Sequence, residues 1–235
     1  MALLGHNGAG KTTTIYMLTG MLHMSKGEAS LYGRDVKREI IDVRKEIGLC
    51  QQHDVLYDLV SIEEHLLMTM RVRSGVVDIA NERKQIKDIL TRCQLTEHKD
   101  KLVKQCSGGM KRKLSLGMAL IGETRTIILD EPTSGLDVES REQMWDLIRT
   151  LKESRSIIMS TQHIEEADQL ADRVCIMSHG RIINLDTPDE IKRKFGVGYN
   201  IYCEAKHQYE DQMDIEQLTK AFDSIRTIFL GRDDL

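Results

Sequence analysis

Proline is almost missing: Pro132 and Pro188 are the only two in 235 residues. A proline-rich linker or a disordered chain of that kind is excluded. Long apolar runs are missing too. None approaches the roughly 18 apolar residues of a spanning helix, so nothing in this stretch is expected to cross a membrane. The opening apolar stretch stops at Gly5, too early for the core of a secretory signal. Cysteine is present but unorganised. Cys50, Cys93, Cys106, Cys175 and Cys203 are odd in number and form no CxxC pair. They predict reduced thiols of a cytosolic compartment, most of them small buried apolar residues.

An excess of positive charge is also absent. The formal net charge is −4, which argues against a globally basic nucleic-acid binder. Residues 196–235 hold eight acids and four bases, so the tail carries the whole imbalance, and residues 1–195 balance at 29 of each. What is present suffices for a core. Apolar residues make up 40 % and charged residues 30 % of the chain, enough for one large domain, or one domain and part of another.

Met1–Leu4 reads as a buried strand. No earlier segment pairs with it, so the chain is expected to be a fragment of a longer protein. Helix is predicted over Thr12–Met21, strand over Glu28–Tyr32, helix over Val36–Glu46 with Ile40, Ile41 and Val43 on one face, and strand over Ile47–Gln51. Ser61 and Glu64 form a capping box that opens a helix to about Arg73, broken by Ser74-Gly75. A second helix, Asn81–Cys93, turns Ile86, Ile89 and Leu90 inward. Between Arg71 and Lys113 there are twelve bases and five acids. This block shows no strand and reads as a helical subdomain, about 61–106, inserted in an α/β core. Its bases lack interleaved aromatics, so a solvated or membrane-proximal face is the reading, and no nucleic acid is expected.

Beyond Ser107 helices and strands alternate: helix to about Leu120, strand Thr126–Leu129, helix Val138–Lys152, strand Ser156–Ser160 and helix Glu165–Ala171. Arg173–Met177 and Ile182–Leu185 flank His179-Gly180 as a hairpin. The alternation predicts an α/β fold, a mostly parallel sheet with helices on both faces. After Gly198 a strand-like Tyr199–Ala205 and a helix bearing Leu218, Phe222 and Ile225 read as the start of a C-terminal extension, 196–235.

Gly5-His6-Asn7-Gly8-Ala9-Gly10-Lys11-Thr12 fits the pattern G-x-x-x-x-G-K-S/T, between a strand and a helix. Glycines let consecutive backbone N–H groups curl around phosphate oxygens, and the helix N-terminus adds partial positive charge. Lys11 is expected to reach the β- and γ-phosphates of ATP, Thr12 to offer its hydroxyl to Mg²⁺, and Thr13 to bond an α-phosphate oxygen. Thr126–Leu129 leads into Asp130-Glu131. Adjacent side chains on a strand point apart, but the chain turns at Pro132. Asp130 is then free to serve Mg²⁺ while Glu131 faces the attacking water as general base.

Cys106-Ser107-Gly108-Gly109-Met110 resembles the signature loop of ABC-type ATPases and lies between the helical block and the acidic strand, as in that family. Gln52 is similar to the family's Q-loop glutamine, and Ser134-Gly135-Leu136-Asp137 to its D-loop. The resemblance covers about residues 2–195 and implies a P-loop NTPase fold of ABC type. The Gln-His-Asp-Val-Leu stretch after Gln51, the SGGM signature and Phe195–Tyr199 resemble the A subfamily, whose members move lipids or amphipathic compounds. The resemblance further implies Mg·ATP as ligand and a second cassette docked head-to-tail. In that pairing Ser107, Gly108 and Gly109 serve the partner's nucleotide, Gln52 links metal and water to the membrane portion, and transmembrane domains of the same parent protein hold the cassette on the cytoplasmic face. Ser107 also reads as an ordinary helix N-cap.

Three positions depart from the family pattern. Cys106 and Met110 replace a common leucine and a common glutamine. Gln162 falls where the family places its switch histidine, with His163 one place later. The family's adenine-stacking aromatic lies upstream of the phosphate loop, so base recognition is not legible here. A non-transport ABC ATPase, acting as an ATP-gated binding module on ribosomes or DNA, is the alternative. Hydrophobic spans in the parent chain discriminate the two.

Overall fold

Ala2–Leu4 forms β1, a three-residue strand with parallel neighbours on both sides. In this computed structural model, residues 1–75, 78–122 and 124–196 are described. The chain divides after Phe195, and the description concerns the unit Met1–Phe195. The predicted strand at Tyr199–Ala205 and helix at 218–225 lie outside the described residues.

In chain order the elements are β1, α1 (Lys11–Leu18), β2 (Ser30–Leu31), β3 (Arg34–Asp35), α2 (Ile40–Glu46), β4 (Ile47–Cys50), α3 (Ile62–Ser74) and α4 (Ile79–Arg92). Single turns of 3-10 helix follow at Thr96–His98 and Val103–Gln105. Then come α5 (Gly108–Leu120), β5 (Thr126–Asp130), α6 (Val138–Lys152), β6 (Ser156–Thr161), α7 (Ile164–Leu170), β7 (Val174–Ser178), β8 (Arg181–Asp186) and α8 (Pro188–Phe195). The main sheet has six strands in the order β4-β5-β6-β1-β7-β8. All its pairs are parallel except the β7–β8 hairpin. This is the mostly parallel sheet that the alternating pattern predicts.

Both faces of the sheet are covered, and the strand period divides them. Ala2, Ile127, Leu129, Met159 and Val174 join one core with residues of α3, α4, α5, α6 and α7. Leu3, Ile128 and Cys175 point the other way and pack with Ile15 of α1 and Val43 of α2. All five residues of β5 are buried, as expected of a parallel strand sandwiched between helices. Gly48 on β4 lets α5 approach closely: a Cβ there would lie 1.9 Å from the Ala119 carbonyl oxygen.

The helices α3 and α4 follow local signals. The Ser61 N–H donates to Glu64 Oε2 at 2.8 Å and the Glu64 N–H to Ser61 Oγ at 3.3 Å, closing the expected capping box. Gly75, at φ 65°, ends α3. Ile86, Ile89 and Leu90 of α4 are buried as read.

Two expectations shift. The strand predicted over Glu28–Tyr32 is only the short β2, because Tyr32 and Gly33 both take positive φ and turn the chain back into β3. The helix predicted from Val36 begins at Ile40. Asp35 Oδ1 accepts the Lys37 N–H at 2.7 Å and holds the intervening residues in a turn. Ile41 is consequently 73 % exposed, and Val43 alone of the three predicted residues is fully buried.

Candidate active site

The candidate residues follow the carboxyl ends of four adjacent parallel strands. Gln52 comes after β4, Asp130 and Glu131 at the end of β5, Gln162 after β6, and the glycine loop after β1. That edge is where open α/β sheets place ligands.

The loop Gly5–Gly10 turns on Gly8 and Gly10, at φ 82° and 103°. A Cβ at Gly5 would lie 2.5 Å from the Met177 carbonyl oxygen, so a side chain there has no room. The β7–β8 turn buttresses the loop: the Gly180 N–H donates to the Ala9 carbonyl at 2.9 Å. His6, Asn7 and Gly8 are exposed at the rim, while Ala9 and Lys11 are buried. Lys11 Nζ donates to the carbonyls of Gly5 at 2.8 Å and His6 at 3.3 Å. Thr12 and Thr13 stand in the first turn of α1, with Thr13 exposed.

The acid pair solves the problem that strand alternation poses. Glu131 adopts φ 46°, a left-handed conformation unusual outside glycine. This rotation brings both acids to one place. The Thr12 hydroxyl donates to Asp130 Oδ1 at 3.2 Å. Lys11 Nζ lies 3.4 Å from Glu131 Oε1, and the Gln52 amide donates to Glu131 Oε2 at 3.2 Å. Lys11, Thr12, Gln52, Asp130 and Glu131 thus form one cluster. Asp130 Oδ2 is buried and has no hydrogen-bond partner. A bare carboxylate oxygen beside a threonine hydroxyl suits a hard cation such as Mg²⁺. Among the described residues no group of three His, Cys, Asp or Glu could hold a metal, so such a cation would lean on phosphate oxygens as well.

Two residues of this cluster went unnoticed in the sequence. Ser160 donates its hydroxyl to Asp130 Oδ1 and accepts the Glu131 N–H at 3.0 Å. Its small size at the end of an apolar strand was the available signal. Arg112, only 3 % exposed, donates to the carbonyls of Gln51, Gln52, Asp130, Glu131 and Pro132. Its place between Lys111 and Lys113 gave no sign that it is buried.

The signature residues stand apart. Among the described residues, no hydrogen bond or ion pair joins Ser107, Gly108 or Gly109 to the glycine loop. Ser107 is the N-cap of α5, accepting the Met110 N–H at 3.2 Å, and it is exposed. Asp137 is the N-cap of α6, accepting from Ser140 N at 2.9 Å and Ser140 Oγ at 2.7 Å. These bonds hold its carboxyl below the usual range. Gly109 packs against Ser140: a Cβ there would lie 2.7 Å from the Ser140 hydroxyl. Gln162 and His163 are both exposed, just past β6.

The family model described as ABC transporter matches residues 1–134, over half of the chain. The ATP-binding cassette sub-family A member 2 of Rattus norvegicus is 44 % identical over 203 residues, 86 % of this chain. The human glucosylceramide transporter ABCA12 is 44 % identical over 200 residues, 85 % of this chain. The rat phospholipid-transporting ATPase ABCA3 is 41 % identical over 199 residues, also 85 %. The chain spans only 8 %, 8 % and 12 % of those relatives' lengths. A solved ATP-binding subunit of an ABC transporter superposes with a TM-score of 0.71 at 28 % identity, covering 83 % of this chain and 81 % of its own. The dimeric cassette MJ0796 bound to ADP and Pi shares the fold, with a TM-score of 0.71 at 20 % identity over 80 % of this chain and 84 % of its own. With its glycine loop, acid pair and sheet arranged as described, this chain belongs to the ABC transporter family as an ABC-type ATPase domain similar to those of the A subfamily.

Proposed function

We propose that this domain binds and hydrolyses Mg·ATP to drive the movement of lipids or amphipathic compounds by a larger membrane protein. One observation carries the reading: Lys11, Thr12 and Gln52 converge on Asp130 and Glu131 at the carboxyl edge of the sheet. Lys11 and the N–H groups of residues 8–13 bind the phosphates. Thr12, Asp130 and Gln52 hold Mg²⁺, which when bound neutralises phosphate charge. Glu131 accepts the proton of the attacking water, and the Gln52 amide orients its carboxylate. Gln162 donates to the γ-phosphate side. Hydrolysis is slower than at a histidine-bearing site, because an amide takes up no proton near neutral pH.

Residues 1–195 are the catalytic unit, with the helical subdomain at about 61–106, and 196–235 begin an extension. Ser107, Gly108, Gly109 and Asp137 face the nucleotide of a second, head-to-tail cassette. Their separation from this chain's own loop supports that assignment. Transmembrane domains of the parent protein dock through exposed apolar side chains, for which Val55, Tyr57, Leu59, Met68 and Val72 are candidates. No described helix is long and apolar enough to cross a membrane.

The parent protein reconstituted in liposomes tests this reading. ATP-dependent movement of labelled phospholipids or glycolipids, lost with Lys11→Ala, is the expected result. ATP hydrolysis without movement of any amphipathic probe would overturn the transport part.

A further inference from the structure

Arg112 touches none of the groups expected to meet ATP through their side chains, yet it binds the backbone of three of them. Its Nε donates to the Pro132 carbonyl at 2.7 Å. Nη1 donates to the carbonyls of Gln51 at 2.5 Å and Gln52 at 3.1 Å, and to Asp54 Oδ1 at 3.1 Å. Nη2 donates to the carbonyls of Asp130 at 2.9 Å and Glu131 at 2.8 Å. The loops after β4 and β5 have left the sheet ladder there, and buried carbonyls need donors. One planar guanidinium supplies them all in a fixed fork, which an ammonium cannot copy.

The strained Glu131 peptide is gripped from both sides. Its N–H meets Ser160 Oγ at 3.0 Å and the Ser160 carbonyl at 3.2 Å, and its own carbonyl meets Arg112. A left-handed glutamate persists only where its surroundings enforce it. Arg112 also lies on α5, whose N-cap is Ser107 of the signature loop. One side chain therefore joins the signature helix, the Gln52 loop and the acid pair.

We propose that Arg112 is a positioning residue for hydrolysis. It fixes Glu131 and Gln52 as one unit and ties that unit to the helix whose N-terminus meets the partner cassette. The proposal rests on the catalytic reading of Glu131 given above. It requires that Arg112 govern the rate of the chemical step and not the binding of ATP.

The test uses the full-length parent protein with its other cassette unchanged. ATPase kcat and KM are measured for Arg112→Lys, Asp54→Ala, Glu131→Gln and the double variant Arg112→Lys/Glu131→Gln, with nucleotide occupancy followed by photolabelling. Arg112→Lys is expected to lower the kcat of this site about 10- to 100-fold, as small misplacements of catalytic groups do, with KM within about twofold of wild type. Asp54→Ala removes a partner of the guanidinium while leaving the carbonyl bonds, and is expected to give the same split at roughly 2- to 5-fold. The double variant should be no slower than Glu131→Gln alone, since Arg112 acts through Glu131. If Arg112→Lys does not accumulate as folded protein, Asp54→Ala decides: unchanged kcat, or a rise in KM without loss of kcat, overturns the proposal. An additive loss in the double variant also overturns it. Undiminished hydrolysis in Glu131→Gln is a different result, because it removes the catalytic reading itself.

Discussion

The Lys11 ammonium lies 3.4 Å from the Glu131 carboxylate while donating to the Gly5 carbonyl at 2.8 Å. The two groups assigned to phosphate and to water therefore already touch, in a site where both side chains are almost fully buried. An arriving γ-phosphate competes with Glu131 for this ammonium. Lys11→Ala removes a charge-assisted contact to phosphate worth about 1.5–3 kcal/mol. The expected outcome is a correspondingly weaker ATP affinity in the parent protein, read by photolabelling at graded ATP. Unchanged affinity would mean that the loop is not the phosphate cradle.

Glu131→Gln separates binding from chemistry. The amide keeps the size of the side chain, and its oxygen can still accept from Gln52. It gives up the negative charge facing Lys11 and the ability to take a proton from water. Nucleotide should bind at least as well as in wild type, hydrolysis should stall, and the ATP-bound cassette pair should live longer. Single-turnover measurement with the partner site silenced checks this. Wild-type turnover would remove Glu131 from its role.

Much of this was legible in the sequence for a physical reason. The glycine loop, the apolar strand ending in Asp130-Glu131 and the Ser61 capping box are local devices, and local devices leave local patterns. The helix α8 also has one: Thr187 accepts the Glu190 N–H at 3.3 Å, ahead of Pro188 in the first turn. None of its residues is fully buried, so no apolar core stripe marks it in the sequence. Arg112 is of another kind. Apart from Asp54, its partners are carbonyls, which every residue carries, at 51–52 and 130–132. No side-chain pattern announces such a bond, so it appears only once β4 and β5 are side by side. The left-handed Glu131 was hidden for the same reason.

Gly48 tests the packing of the signature helix on the sheet. A Cβ at this position would meet the Ala119 carbonyl at 1.9 Å, and backbone cannot yield as a side-chain tip does. Gly48→Ala is expected to cost at least about 1–3 kcal/mol of stability. A lower unfolding temperature of the cassette, or loss of folded protein, is the readout. A variant of wild-type stability would contradict the close approach of α5 to β4.

The thiols offer a pH-dependent test. Burial pushes Cys50 up to about 11 and Cys93 up to about 12, because a thiolate is poorly solvated there. Burial raises Cys175 and Cys106 too, but Cys106 is partly exposed. The thiolate attacks a maleimide, so at pH 8 Cys106 should label first among the four described cysteines. Cys50 and Cys93 should label only on unfolding, and raising the pH to 9 should not change that order. Peptide mass spectrometry after timed labelling gives the order. Early modification of Cys93 in folded protein would show that α4 does not pack as described.

The register after β6 frames a test between Gln162 and His163. Thr161, the last residue of the strand, pairs with Leu4 just before the glycine loop, and its carbonyl accepts the Gly5 N–H at 3.3 Å. The first residue beyond it, Gln162, therefore leaves the sheet beside the phosphate cradle. His163 is the N-cap of α7, with its backbone N–H bound to Thr161 Oγ1 at 3.0 Å. Consecutive residues of an extended segment point apart, so one of the two faces the nucleotide and the other faces away. A glutamine amide can donate to phosphate as an imidazole N–H does, but it does not exchange a proton near neutral pH. Gln162→His should therefore raise the hydrolysis rate of the full-length protein and give it a pH dependence near the histidine range. Gln162→Ala should lower it, and His163→Ala should change it little. Loss of turnover in His163→Ala, with none in Gln162→Ala, would place the switch one residue later and make this an ordinary histidine-bearing site.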